Sequence, residues 1–307
     1  MYFAYPTVVN VLVSNPFEVV KPAFTFCNRN RERRSVVCEE VECSNSSVNG
    51  FCETFPKYCP KDGKVLTDIP FVRELGAKNL DWKIAMKRAH TEEMIKGCRI
   101  KIEGKSYRCR KPYRQVPAVT MNGLPNMCYT VESLWEKPDA KLETFPNTFT
   151  YEIDLWTMPE EYMMYTAPVM VQTAIHDRRR LVNPYAEGYA LKGGIQYDAF
   201  VSMTEKKLLP YPYDTNCTDY LKLWKRNGGT GPLNEMMCIE YCKLQTLLDL
   251  GLCIDTNVAY PHMETLCKRN ISVTSDIIKN CTMQCGNPCI DHTYEIRYEE
   301  VGNYERY

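Results

Sequence analysis

Apolar and polar positions along this chain follow two different periods. Residues 7–13, Thr-Val-Val-Asn-Val-Leu-Val, are mostly β-branched and predict a strand, closed by a turn at Ser14-Asn15-Pro16. Residues 81–96 switch to helical spacing, with Ile84, Ala85, Met94 and Ile95 available for burial. Residues 150–210 return to strands and turns: 166–175 predicts a buried strand, Gly193-Gly194 a turn, and 201–205 another strand. Helical spacing comes back over 234–251, where Leu244, Leu247 and Leu248 form an apolar stripe. Pro232 and Asn234 mark its start, and Gly251 suits a left-handed stop. A second helical run covers 275 to about 280. The mixture predicts an α+β fold.

The second helical region carries the densest chemistry. Half of the sixteen cysteines lie between Tyr211 and Cys289: Cys217, Cys238, Cys242, Cys253, Cys267, Cys281, Cys285 and Cys289. Cys238 and Cys242 are four apart and share one helix face. Two antiparallel helices stapled by nested bridges account for the pattern, as a rigid lever. The Cys-x3-Cys spacing also falls within the range of zinc sites. Four sequons, at Asn45, Asn216, Asn270 and Asn280, instead point to an extracellular chain in which thiols oxidise. The even cysteine count agrees. Four more cysteines, Cys38, Cys43, Cys52 and Cys59, sit in a Ser/Asn/Gly-rich stretch with little apolar periodicity. They read as a stapled insertion, and their spacing leaves all three connectivities open.

With 307 residues the chain can bury a real core without its cysteines. Lys+Arg and Asp+Glu both number 38, so no net field attracts nucleic acid or an anionic membrane. No run of eighteen apolar residues spans a bilayer, and the first residues lack the pattern of a signal peptide. A sequon-bearing, cysteine-rich chain needs an export route. The expectation is therefore a piece of a longer protein, cut close to a membrane anchor, with Tyr2, Phe3 and Tyr5 suited to the bilayer interface.

Catalytic signatures are missing. There is no Gly-x-Ser-x-Gly elbow, no His-Glu-x-x-His and no phosphate loop, and the glycines at 228–231 read as a plain loop. His90, His176, His262 and His292 stand in no local catalytic motif. No catalytic, metal or cofactor-binding residue is assigned. Acidic pairs such as Glu92-Glu93 and Glu299-Glu300 read as solvated charges. Arg31-Glu32-Arg33-Arg34 matches the Arg-x-(Lys/Arg)-Arg pattern of furin-type proteases, which makes Arg31, Arg33 and Arg34 a candidate cleavage site beside the plainer reading of a solvated basic loop.

Several motifs, in order, carry a family resemblance. Lys21-Pro-Ala-Phe-Thr-Phe-Cys27-Asn28 resembles the Phe-Pro-Ala-Val-Thr-Ile-Cys-Asn motif of the degenerin/epithelial sodium channel/acid-sensing channel superfamily, with Lys21 in place of Phe. Asn126-Met-Cys128-Tyr-Thr resembles its Gly-x-Cys-Tyr-Thr-Phe-Asn signature, and Ile175-His176-Asp177 its Ile-His-Asp-Pro element, with Arg178 where Pro is common. The run Asp291 to Tyr298 resembles the strand leaving the thumb. The resemblance implies bridges between Cys27 and Cys128, Cys98 and Cys109, Cys217 and Cys289, Cys238 and Cys285, Cys242 and Cys281, and Cys253 and Cys267. The first of these closes a loop of about a hundred residues, on the order of 4–5 kcal/mol in the simple loop model.

What this implies is one extracellular domain over 1–307. Palm, β-ball and knuckle strands fall within 1–30 and 115–210, a finger at about 31–114, a thumb at about 211–290 and a return strand at 291–307. A gating contact between Tyr213 and Tyr5 is implied as well. The function implied is that of a sodium-selective channel subunit in the plasma membrane, anchored through flanking helices and assembled as a homo- or hetero-trimer, with sodium as permeant ion and without nucleic acid or cofactor. The rival is a secreted cysteine-rich binding or inhibitor protein without a pore.

Overall fold

The computed structural model describes residues 11–40, 81–158, 161–162, 169–209, 213, 215–268 and 273–303. Its strands are β1 (Glu18–Val20), β2 (Ala23–Asn28), β3 (Ile95–Ile102), β4 (Lys105–Arg108), β5 (Arg114–Val119), β6 (Pro125–Val131), β7 (Thr144–Pro146), β8 (Thr150–Leu155), β9 (Met170–His176), β10 (Tyr189–Lys192), β11 (Ile195–Lys207) and β12 (Ile290–Asn303). Its α-helices are α1 (Arg34–Glu40), α2 (Trp82–Arg88), α3 (Pro184–Glu187), α4 (Tyr220–Arg226), α5 (Glu235–Asp249) and α6 (Ser275–Gln284). The fold is α+β with antiparallel sheets.

A five-stranded sheet in the order β10-β9-β2-β6-β5 is the middle layer. Every residue of β2 is buried, because both faces of this central strand are covered. Alternation along β2 divides the core in two. Phe24 and Phe26 face a cluster with Met94, Ile95, Ile100 and Tyr113, against which β8 and the Tyr294 and Ile296 side chains of β12 also pack. Cys27 turns the other way, into a cluster with Cys128, Val116, Trp135, Leu181, Trp224 and Met237. A three-stranded sheet, β4-β3-β8, closes the first side, and the helices close the second. β11 and β12 form a separate two-stranded ribbon paired over their full length.

Three sequence expectations change. The helix expected over 81–96 ends at Arg88, and a 3₁₀ turn at Glu92–Met94 leads into β3. Two carbonyls at the helix end are taken from outside: the Arg33 backbone N–H donates to Arg88 at 2.7 Å and Arg33 Nε to Ala89 at 2.9 Å. Met94 is then buried from the turn, and Ile95, Cys98 and Ile100 from a strand that pairs with β8, so tertiary packing overrides helical spacing. The expected strand at 7–13 falls partly outside the described residues. Within them Val11, Leu12 and Val13 form no strand and stand exposed. The second stapled helix runs to Gln284, beyond the expected end near 280.

Candidate functional site: a stapled helix pair and its two attachments

α5 is bounded by its own sequence. The Asn234 side chain accepts from the Met237 N–H at 2.9 Å, a good N-cap. At the other end the Gly251 N–H donates to Leu248 and the Leu252 N–H to Leu247, with Gly251 at φ 67. That pair of bonds is a Schellman stop, which favours glycine because a Cβ is strained there. α6 is capped by Thr274, whose hydroxyl accepts from the Ile277 N–H. Cys238 and Cys242 on α5 face Cys285 and Cys281 on and just after α6. Two bridges result, Cys238–Cys285 and Cys242–Cys281, with Cα separations of 5.8 and 5.6 Å. The four-residue spacing is the same on both helices and the order is reversed, so the helices lie antiparallel and are tied one turn apart.

Two further bridges close the ends of this unit. Cys217 is joined to Cys289 at its base, where Thr218 and Asn287 also share a backbone hydrogen bond. Cys253 is joined to Cys267 at its far end, around a loop whose two sides meet at Ile254 and Leu266. The unit's own apolar core is small: Leu244, Leu247, Ile254 and Val258. These cysteines are in disulfides, so none of their thiolates is left to bind zinc.

Among the described residues the unit meets the sheet layer at its root and at its far end. At its root, Trp224 and Met237 pack beside the Cys27–Cys128 bridge. The 228–231 loop secures the root, because Gly229 accepts from the Glu136 N–H at 2.8 Å. A Cβ at Gly229 would lie 2.8 Å from the Lys137 nitrogen, and its φ is 85, so a side chain is excluded twice over. At its far end, Trp82 of α2 donates from Nε1 to the Glu264 carbonyl at 3.0 Å. Leu266 packs there with Trp82, Ala89, Val119 and Met127, and the His262 ring stands edge-on to Trp82. Burial lowers His262 to about 4, so it is neutral near pH 7.

Charged groups tie the sheet layer to the ribbon and to the loops. Lys21 is buried, with Nζ 2.7 Å from Glu132 and 2.6 Å from Glu143. Arg178, also buried, donates from Nε to the Glu132 carbonyl and from Nη2 to its carboxylate. Burial alone would raise Glu143, but Lys21, Arg178 and Arg110 lower it to about 2. A second node joins three elements. Asp177, after β9, is gripped by Arg179 at 3.0 and 2.7 Å. His292 of β12 stands with Nδ1 3.6 Å from Asp177 and Nε2 2.9 Å from Glu205 of β11. Asp177 and Glu205 therefore raise the His292 pKa against a smaller opposing effect of burial. The buried His176 Nδ1 lies 2.8 Å from the Asp177 carbonyl, which only accepts, so Nδ1 carries the proton and Nε2 accepts from the Thr25 hydroxyl. Burial lowers His176 to about 4.

The molecule is thus a sheet body, a covalently tied helix pair and a long ribbon leading away from the base of that pair. The model of the amiloride-sensitive sodium channel family matches residues 1–305. The chain belongs to that family. Its members are ion channels that conduct sodium, not enzymes, so this is a sodium channel subunit. No curated protein matches the chain. No helix among the described residues is long and apolar enough to cross a membrane.

The remaining residues singled out from the sequence fall as follows. Cys98 and Cys109 are joined across the base of the β3–β4 hairpin. Cys38 is disulfide-bonded, while Cys43, Cys52 and Cys59 lie outside the described residues. Tyr213 is half-buried, but Tyr5 lies outside the described residues, and their expected contact with it. Asn216 and Asn280 are exposed, as sequon asparagines must be to carry glycan; Asn45 and Asn270 lie outside the described residues. The segment from Arg31 to Arg34 is not a free basic loop. Arg31 donates to the Pro125 carbonyl, Glu32 is buried and bridges Ala89, and Arg33 holds the end of α2. Protease access to it requires local opening. Sequence reasoning missed Trp82, Glu264, Lys21 and the His292 node, since each works through partners far away in the chain.

Proposed function

We propose that this chain is the extracellular region of a plasma-membrane sodium channel subunit, acting in a homo- or hetero-trimer, and that the stapled helix pair is its moving lever. In this reading the sheets are palm and β-ball, residues from about 31 to 114 the finger, 211–290 the thumb, and 291–307 the return strand. A ligand, proton, protease or mechanical stimulus changes the packing of finger on thumb at Trp82 and Leu266. The thumb turns as one body about its root at Trp224 and Met237, and Tyr213, with Tyr5 as partner, passes the motion to the membrane helices that gate sodium flow. Glycans at Asn45, Asn216, Asn270 and Asn280 belong to the same extracellular placement.

The observation that carries this reading is the contrast between covalent ties inside the helix pair and noncovalent contacts at both attachments. A stiff arm with separable ends is what a two-state lever needs. The test is Tyr213→Ala in the full-length channel, with currents and surface labelling measured together. The expected result is impaired gating at unchanged surface level. Normal currents remove Tyr213 from the coupling path.

A further inference from the structure

A cavity of about 490 Å³ opens beside the root of the helix pair, between the 138–142 segment, Arg179 and the end of α4. That size is within the range of sites for small organic ligands. Part of its wall is apolar, from Pro138, Leu142 and the buried Trp224. Two ammonium groups, Lys141 and Lys225, also line it, and neither has a carboxylate partner among the described residues. Arg179 lines it too, but its charge is already matched by Asp177. Asp139 is the one acidic residue of the lining, so unmatched positive charge is in excess.

We propose that this cavity binds a small organic carboxylate with an apolar body. The body lies against Pro138 and Leu142, and the carboxylate is held by Lys141 and Lys225. An inorganic anion would use the cations and waste the apolar wall; a cationic ligand would meet two uncompensated ammonium groups. Because the lining comes from α4 on one side and from the sheet body's loops on the other, a bound carboxylate holds the helix root in place. The binding claim stands on the cavity alone and does not depend on the channel reading.

Benzoate is the probe, with benzylamine as a cation of the same shape, each titrated into the purified, oxidised protein by calorimetry. Saturable benzoate binding is expected, with no benzylamine binding and with slower amide hydrogen exchange across Tyr220–Arg226 when benzoate is present. Lys141→Gln with Lys225→Gln, both exposed and so neutral for folding, should weaken benzoate at least tenfold. Lys222→Gln, a nearby cation off the cavity, should change nothing. Absence of saturable binding up to about 10 mM, equal binding of benzylamine, or unchanged affinity in the double lysine variant overturns the proposal.

Discussion

The sheet body and the helix pair are held together by different physics. In the body, β2 is buried along its whole length between β9 and β6, and large side chains from three layers close on it. In the helix pair four of the described residues are buried in a core of their own, and four disulfides span the unit. Burial makes the body cooperative with everything it touches. Covalent ties hold the two helices to each other, while packing at Trp224 and Met237 and the Trp82–Glu264 hydrogen bond hold them to the body; on the proposed reading the pair shifts against the body as one piece.

The largest expected effect that could break this contrast is the loss of a cross-helix bridge. Cys238→Ala with Cys285→Ala opens a tie across 47 residues, about 4 kcal/mol in the loop-entropy model. The helix pair should then melt below the sheet body in a calorimetric scan, giving two transitions; a single transition at a lower temperature would mean that the two regions are one unit. In the body the matching test is electrostatic. Lys21→Met leaves Glu132 buried with only Arg178 as cation, and breaking such a buried pair costs about 3 kcal/mol. Denaturant unfolding should show that loss in the sheet transition and leave the helix-pair transition in place.

These two tests also mark what was legible beforehand. Asn234 and Gly251 announced the limits of α5, because capping is local chemistry, and 166–175 overlapped β9 because a buried strand is a short apolar run. The end of α2 was not legible. The same Ile95 serves a helix or a strand, and the choice is made by Arg33 and β8, which lie far off in the chain. Lys21 read as a mild departure from a family motif; its partners, the buried Glu132 and the half-buried Glu143, lie more than a hundred residues later. The His292 node draws on residues 177, 205 and 292, and no local pattern assembles them.

Smaller effects follow from pH. Burial lowers His90, His176 and His262 from 6.5 to about 4, so the fold holds them neutral while the unfolded chain protonates them. Their contribution is complete above pH 6.5 and is lost as pH falls from there through about 4. His292 has the opposite sign. Its pKa is raised in the fold, so its contribution is present below 6.5 and is lost as pH rises through the folded value. His292→Gln should therefore flatten the melting-temperature profile on the alkaline side and leave the acid-side fall intact. An unchanged alkaline side would show that Asp177 and Glu205 do not hold the imidazolium.

The central claim, a stiff arm with a separable far end, is tested most directly by amide hydrogen exchange on Trp82→Ala. The substitution removes the indole donor to Glu264 and the ring that packs on Leu266. Exchange should quicken in the 254–266 loop and in α2, while α5 and α6 keep the protection of the unaltered protein. If α5 and α6 lose protection together with the loop, the helix pair owes its order to the contact with the body and cannot act as a lever.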